Sequence, residues 1–456
     1  MSQKISDKRI YTLSEEKPAK AVVKMGVPLI AGMFIMVLYN LVDTYFIGLT
    51  KDDYQLAAVN LAYPVMMVMV ALSNMVGTGA SSLIARCLGA DDKDKAARTL
   101  TAGFTLTVLN SLITAAAGLL FLHRIVKGLG AGDNTFVYTE QYVRIILIGS
   151  IFTMGNYSFG QFLRSEGSVN HSIVGMVVGT IVNMILDPIF IFTLGMQIRG
   201  AALATVIGNA AGMGASLLFY LSGKTMLRPC GRYLIPCSDV LGEIYRVGLP
   251  ASLETLLSSA AYVVNNNLAV NYGELTVAAM GVAQKLLSLG NYIYQGFAAG
   301  TQPLMGYNYG AKNYPRMKAI LRCGVCIVTC TELALMLIYG IFAPQLIGQF
   351  TESAKVIATG ARVLRRLMFI LPFVGSVSMC RMSFQAMGKP VYAFFITLMR
   401  QLFLYIPLLL ILNRLFGLSG MLTAQPVTEA LMMTASITLL YSFITRAEFD
   451  STVPQK

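Results

Sequence analysis

The sequence predicts an all-α membrane protein with twelve transmembrane helices in two six-helix lobes, related by a pseudo-two-fold axis along the membrane normal. Three observations lead there. Of 456 residues, 55% are hydrophobic and only 12% are charged, with a mean hydropathy of +0.64. Soluble domains carry roughly 25% charged residues. Apolar windows of about 20 residues, the length that crosses a bilayer core roughly 30 Å thick, recur twelve times between Gly, Pro and charge breaks. The two halves of the chain also echo each other residue by residue.

In order, the spans are expected at about 26–48, 57–80, 98–121, 136–160, 171–194, 200–222, 247–271, 276–305, 319–342, 361–384, 391–412 and 418–444. The amino terminus through Lys24 is polar and basic without a cleavage site, so no removable signal peptide is expected. Lys and Arg then set the orientation. With the amino terminus inside, the inside segments collect about 23 basic residues and the outside ones about ten, which predicts both termini in the cytoplasm. The net charge of +13 alternates with the spans rather than clustering. That suits anionic lipid headgroups and excludes a nucleic-acid footprint. Seven cysteines without a paired framework and only two histidines point away from disulfides and zinc.

The halves align at a nearly constant offset. Gly26-Val27-Pro28 recurs as Gly248-Leu249-Pro250, and Leu88-Gly89-Ala90 as Tyr309-Gly310-Ala311. Gly167 answers Gly388, and Gly200 answers Gly420. Six spans per half insert both halves in the same sense, giving parallel repeats with sites expected near the midplane. The expected division is an N-terminal lobe at 1–222, a cytoplasmic linker at 223–246 and a C-terminal lobe at 247–456.

Candidate functional residues are the polar groups inside these spans. Span one carries Asp43 with Asn40 and Tyr39 on the same helical face. An ionised Asp mid-membrane costs roughly 3 kcal/mol or more without a partner or a wet cavity, so it is a functional candidate. Span five places Asn183 and Asp187 four residues apart, with Pro188 freeing the carbonyl of Met184. This oxygen-rich turn suits a proton or a hard cation such as Na⁺. Thr205 adds a hydroxyl if spans five and six form a hairpin. At the repeat positions Asp43 becomes Asn265, Asn183 becomes Leu404 and Asp187 becomes Leu408, which argues for one ion site, in the N-terminal lobe. Tyr39, Asn40, Gln284, Asn291 and Gln295 are candidates for a substrate cleft. Glu254, Lys285, Glu332, Arg381, Arg400 and Glu429 are expected to be structural, some as buried pairs such as Lys285 or Arg400 with Glu254 or Glu429. Cys323, Cys326 and Cys330 lie along one helical stripe and are expected to pack. No nucleotide loop, metalloprotease motif or nucleophile constellation appears, so an enzyme is not expected and no cofactor beyond a coupling ion is implied.

Several stretches resemble one family: VDTYFIG at 42–48, SSLIARCLGADDKDKA at 81–96, GLPASLE at 248–254 and GTQPLMGYNYGAKNYPRMK at 300–318. They are similar to the multidrug and toxic compound extrusion (MATE) family, and the last stretch to its MepA-like bacterial branch. The likeness runs from about residue 20 to 445. It implies two six-helix lobes and export of organic cations and drugs across the plasma membrane by H⁺ or Na⁺ antiport. It also implies a cation-coupling cluster on Asp43, Asn183, Asp187 and Thr205. Another branch of the family places acids in helices seven and ten. Here those helices offer Ser258-Ser259-Ala260-Ala261 and Arg381, which argues against an ion site in the C-terminal lobe. The expected partners are membrane lipids and small organic cations, and the expected state is monomeric. A flippase or exporter for a lipid-linked or other endogenous cargo is the alternative, kept open by Lys285, Arg381 and Arg400.

Overall fold

The computed structural model describes residues 9–48, 53–351 and 353–452. Among these residues every regular element is helical. The first half comprises α1 (Pro18–Gly48), α2 (Asp53–Gly89), α3 (Lys93–Leu120), α4 (Leu122–Gly128), α5 (Asp133–Ile148), α6 (Ser150–Ser165), α7 (Val169–Pro188) and α8 (Gln197–Leu221). The second comprises α9 (Ser238–Val270), α10 (Glu274–Gly310), α11 (Tyr314–Gly348), α12 (Ala354–Leu367), α13 (Leu371–Ala386), α14 (Pro390–Leu398), α15 (Ile406–Phe416) and α16 (Leu418–Thr452).

These make twelve helical passes. The fourth is broken at Gly149 between α5 and α6, and the tenth joins α12 to α13 through a 3₁₀ turn at Met368–Ile370. Nine helical stretches among the described residues are by themselves long and apolar enough to cross a membrane. The remaining three expected spans fall on α5–α6, whose two helices are 16 residues each, and on α9 and α10.

Local sequence explains the repeated motifs. Asp92 caps α3 by accepting from the Lys95 amide at 2.9 Å, and Asn313 caps α11 by accepting from the Arg316 amide at 3.2 Å. The residue before each cap, Asp91 and Lys312, takes a left-handed conformation at φ 57° and 56°. LGADDK and YGAKNY are thus one turn written twice, a left-handed residue followed by an N-cap.

The chain forms two compact units. The first contains Ala31–Ser252 with the described residues before Leu13; the second contains Leu13–Ile30 with the described residues from Leu253 onward. This differs from the division at 222 and 247 expected from sequence. The start of α1 belongs to the second unit, and the linker with the start of α9 belongs to the first.

Glycine seats account for the difference. In the first unit a Cβ on Gly79 would strike the Ile244 carbonyl, and one on Gly248 would strike that of Met75. In the second unit a Cβ on Gly300 would lie 2.7 Å from the Gly26 amide nitrogen. Gly79 and Gly300, like Gly26 and Gly248, are repeat equivalents. Backbones approach closely where side chains are absent, so the first helix of each half starts against the second helix of the other. In both halves the change of unit comes two residues after a proline, Pro28 or Pro250, where the missing amide removes one rung of the helix.

The linker is tied to the first unit at several points. Glu243 accepts from Lys95 at 2.7 Å and pairs with Arg86 at 3.4 Å, Tyr233 donates to Asp94 at 2.8 Å, and the Cys230 amide donates to Thr101 at 3.1 Å. Within each unit the packing scheme is the same. The second pass lies on the third and fourth, the fourth on the sixth, and the fifth along the sixth; passes eight to twelve repeat this pattern. In the first unit Met69, Tyr142, Ile146, Leu147, Met154 and Ile198 belong to one buried apolar cluster.

Candidate functional site

The candidate site is built on the α7–α8 hairpin. A Cβ on Gly179 would lie 2.8 Å from the Gly208 carbonyl oxygen, and one on Gly212 would lie 2.7 Å from that of Gly175. The two helices therefore meet backbone to backbone along small residues four apart, the usual way helices approach in lipid. This closeness lets two short polar side chains touch. Asn183 Nδ2 donates to Thr205 Oγ1 at 3.4 Å, and Thr205 donates in turn to the Ala201 carbonyl at 2.9 Å. The polar row continues on α8, where Asn209 donates to the Thr205 carbonyl at 2.9 Å and accepts from Asn156 Nδ2 at 3.0 Å.

Asp187, one turn beyond Asn183 on the same face, is 0% exposed. Asn183 and Thr205 are also buried, and Asn183 Oδ1 has no hydrogen-bond partner among the described residues. After Pro188 the helix widens into a π segment, Ile189–Thr193, closed by the Leu194 amide donating to the Ile189 carbonyl at 2.9 Å. π segments are common at functional positions. The structure thus brings three of the four sequence candidates, Asn183, Asp187 and Thr205, onto one interior face. Asp43, Tyr39 and Asn40 lie on α1, but their side chains fall outside the described residues. Gln284, Asn291 and Gln295 share one face of α10 in the second unit and are each half-buried.

Four of the six charged candidates, Glu254, Arg381, Arg400 and Glu429, form pairs in the second unit. Arg400 donates to Glu429 at 3.1 Å, and Arg381 bonds Glu254, which also accepts from Gln385 at 3.2 Å. Arg400–Glu429 is one of the expected pairs, whereas Glu254 takes Arg381 in place of Lys285, which is exposed. Cys326 and Cys330 are exposed on α11 instead of packed. Among the described residues no cluster of acids, His and Cys fit for a metal occurs.

One group escaped the sequence reading. Glu166, just beyond α6 and outside the spans, is 0% exposed and accepts the amides of Met226 at 3.0 Å and Leu227 at 3.4 Å. Burial pushes its carboxyl up to about 7, against the opposing pull of those amides, the Tyr220 hydroxyl and Arg9. Arg9 itself donates to the Lys224 carbonyl at 2.9 Å and lies over the Phe219 ring. The available signal was the repeat: at the offset of Gly167 and Gly388, Glu166 corresponds to Met387.

A family model described as MatE matches residues 28–189 and 250–411, one match in each half and most of the chain between them. The chain belongs to the MATE family. Among its relatives, the multidrug export protein MepA of Staphylococcus aureus (strain MRSA252) is 27% identical over 447 residues, covering 98% of this chain and 99% of that protein. Among solved structures, a MATE transporter in its bent conformation matches with a TM-score of 0.92 at 28% identity, over 98% of this chain and 99% of the other. A MOP superfamily transporter from Pyrococcus furiosus Vc1 (DSM3638) matches at 0.90, with 28% identity over 97% and 99%. As a MATE protein the chain is a multi-pass membrane transporter, and its duplicated family match agrees with the repeat read from sequence.

Proposed function

We propose that this chain is a cation-coupled antiporter that exports organic cations across the plasma membrane, with both termini in the cytoplasm, as a monomer. The observation that carries this reading is the buried face of α7 and α8, where Asp187 lies one turn from Asn183, whose Oδ1 is left without a donor, beside Thr205. A buried acid flanked by oxygen and amide groups is less costly with a positive ion, H⁺ or Na⁺, than as a carboxylate in hydrocarbon. Asp43 completes the set by sequence. Coupling arises when the ion and the drug favour different arrangements of the first unit, so that each lowers the affinity for the other. The family relationship and the likeness to MepA, named as a multidrug export protein, support the cargo class. A lipid-linked cargo finds less support, because Arg381 and Arg400 are already engaged by Glu254 and Glu429.

The test is reconstitution into liposomes with ethidium as the probe and a pH or Na⁺ gradient imposed separately. The wild type is expected to extrude ethidium under one gradient, while Asp43→Asn and Asp187→Asn insert normally and lose that component. Gradient-driven efflux unchanged in both variants would refute the assignment.

A further inference from the structure

Near the middle of α11, Glu332 is 0% exposed, and neither of its carboxylate oxygens has a hydrogen-bond partner among the described residues. It is set against the bare backbone of α10. A Cβ on Gly290 would lie 2.9 Å from Glu332 Oε2, 2.6 Å from Leu371 Cδ2 of α13 and 3.2 Å from Leu335 Cδ2. The carboxylate therefore occupies a glycine-shaped seat walled by leucines. Among the described residues, the titratable groups that face it are two tyrosines. Tyr339, on the same helix, commits its hydroxyl to the Leu286 carbonyl at 2.5 Å. Tyr294 of α10 is buried and lies within electrostatic reach of Glu332, Arg400, Glu429 and Arg381. Those arginines are engaged by Glu429 and Glu254, so no cation among the described residues is paired with Glu332.

A bare carboxylate in such a place has lost its water without gaining a counter-charge, which is the most expensive arrangement a side chain can adopt. A carboxylic acid is neutral and avoids most of that cost. The repeat shows that the scaffold does not ask for an acid here. At the offset of 221, Glu332 corresponds to Ser111 and Gly290 to Met69. Ser111 is buried with its hydroxyl donated to the Val108 carbonyl at 2.7 Å. The first unit thus fills the same place with an ordinary satisfied serine.

We propose that Glu332 is a proton-exchange site of the second unit, holding a proton in its Gly290 seat in the conformation described and releasing it when α10 and α11 part enough to admit water. This reverses the expectation from sequence that the C-terminal lobe binds no ion. It deepens the antiport reading and rests on it only for its role in transport.

The experiment is a pH titration of the purified full-length protein in lipid nanodiscs, followed by infrared difference spectroscopy in the carboxylic-acid C=O region. The wild type is expected to show an acid band near neutral pH that is absent from Glu332→Gln, a variant that keeps the neutral shape. In Gly290→Ala, whose methyl intrudes on Oε2, the band is expected to shift. Spectra of Glu332→Gln indistinguishable from wild type overturn the proposal; should that variant fail to insert, an unshifted band in Gly290→Ala does the same. Asp43→Asn and Asp187→Asn are expected to leave this band in place, so the result stands or falls separately from the antiport assignment.

Discussion

In the first unit α7 buries Asn183 and Asp187 on one face, while the repeat positions in the second unit are Leu404 and Leu408, both half-buried. The surrounding architecture is otherwise duplicated: the same helix contacts, the same capped turns at Asp92 and Asn313, the same glycine seats at Gly79 and Gly300. A scaffold that works with leucine in one copy does not need aspartate in the other. Burying an acid costs free energy that leucine would not, so Asp187 carries a cost that the second copy avoids. The π segments make the same point. In the first unit Ile189–Thr193 follows Pro188, whereas in the second Met399–Tyr405 comes before Pro407, so the irregular turn has moved relative to the repeat.

The second unit holds two of its acids, Glu254 and Glu429, against Arg381 and Arg400. This contrast can be broken by removing one partner. Arg400→Met leaves Glu429 buried without its cation, and the expected loss is about 3–5 kcal/mol of stability. The double variant Arg400→Met with Glu429→Leu is expected to recover most of it, since an apolar pair of similar size is often neutral or better. Thermal denaturation in detergent measures both. If the double variant is as unstable as the single, the pair does more for the unit than cancel a buried charge.

The sequence was most legible where physics is local or repetitive. Hydropathy and length placed the twelve passes, and the offset of about 221 exposed the duplication, to which the structure adds a left-handed residue before each cap. Spacing of four put Asn183 and Asp187 on one face, whereas Thr205 joined them only on the condition that spans five and six form a hairpin. What remained hidden depends on contacts distant in the chain. The division of α1 and α9 between units arises from backbone approaches such as Gly26 to Gly300, which no local pattern reports. Which cation Glu254 would meet was undecidable from sequence, because Lys285 and Arg400, the partners offered for it, and Arg381, the one it takes, are equivalent until the helices are assembled. Glu166 went unnoticed between the expected spans, since its contacts come from the distant linker residues Met226 and Leu227.

Glu166 sharpens the contrast outside the spans, because its counterpart Met387 cannot titrate. Its carboxyl is raised by burial to about 7, above the ordinary carboxylate value. The folded state therefore binds the proton more tightly than the unfolded one. The stabilisation is fully present below the ordinary carboxylate range and is lost as pH rises through about 7. At most this amounts to about 3 kcal/mol, released locally where the Met226 and Leu227 amides meet the carboxyl. Hydrogen exchange at these amides, corrected for its intrinsic pH dependence, is expected to accelerate across that interval in the wild type and to stay flat in Glu166→Gln. A flat wild-type profile would mean that Glu166 is already ionised and held by those amides.

The smallest expected effect tests whether closeness of α7 and α8 is what makes the first unit's face. Two glycines of α8 serve as a matched pair. A Cβ on Gly208 would come within 2.7 Å of the Gly179 carbonyl oxygen and 2.8 Å of Asn183 Cβ, whereas one on Gly214 would meet nothing within 4 Å. Gly208→Ala forces the hairpin apart against good packing, an overpacking cost of about 1–3 kcal/mol. Gly214→Ala is expected to gain up to about 1 kcal/mol from helix propensity alone. The two variants change the same atoms on the same helix, so their difference isolates the contact. Because Asn183 reaches Thr205 only at 3.4 Å, a small displacement at Gly208 also breaks that hydrogen bond. Gly208→Ala should therefore weaken gradient-driven efflux as well as stability, and Gly214→Ala neither. Equal behaviour of the two would mean that the face forms without the close approach of its helices, and that the duplicated scaffold positions Asn183 by other means.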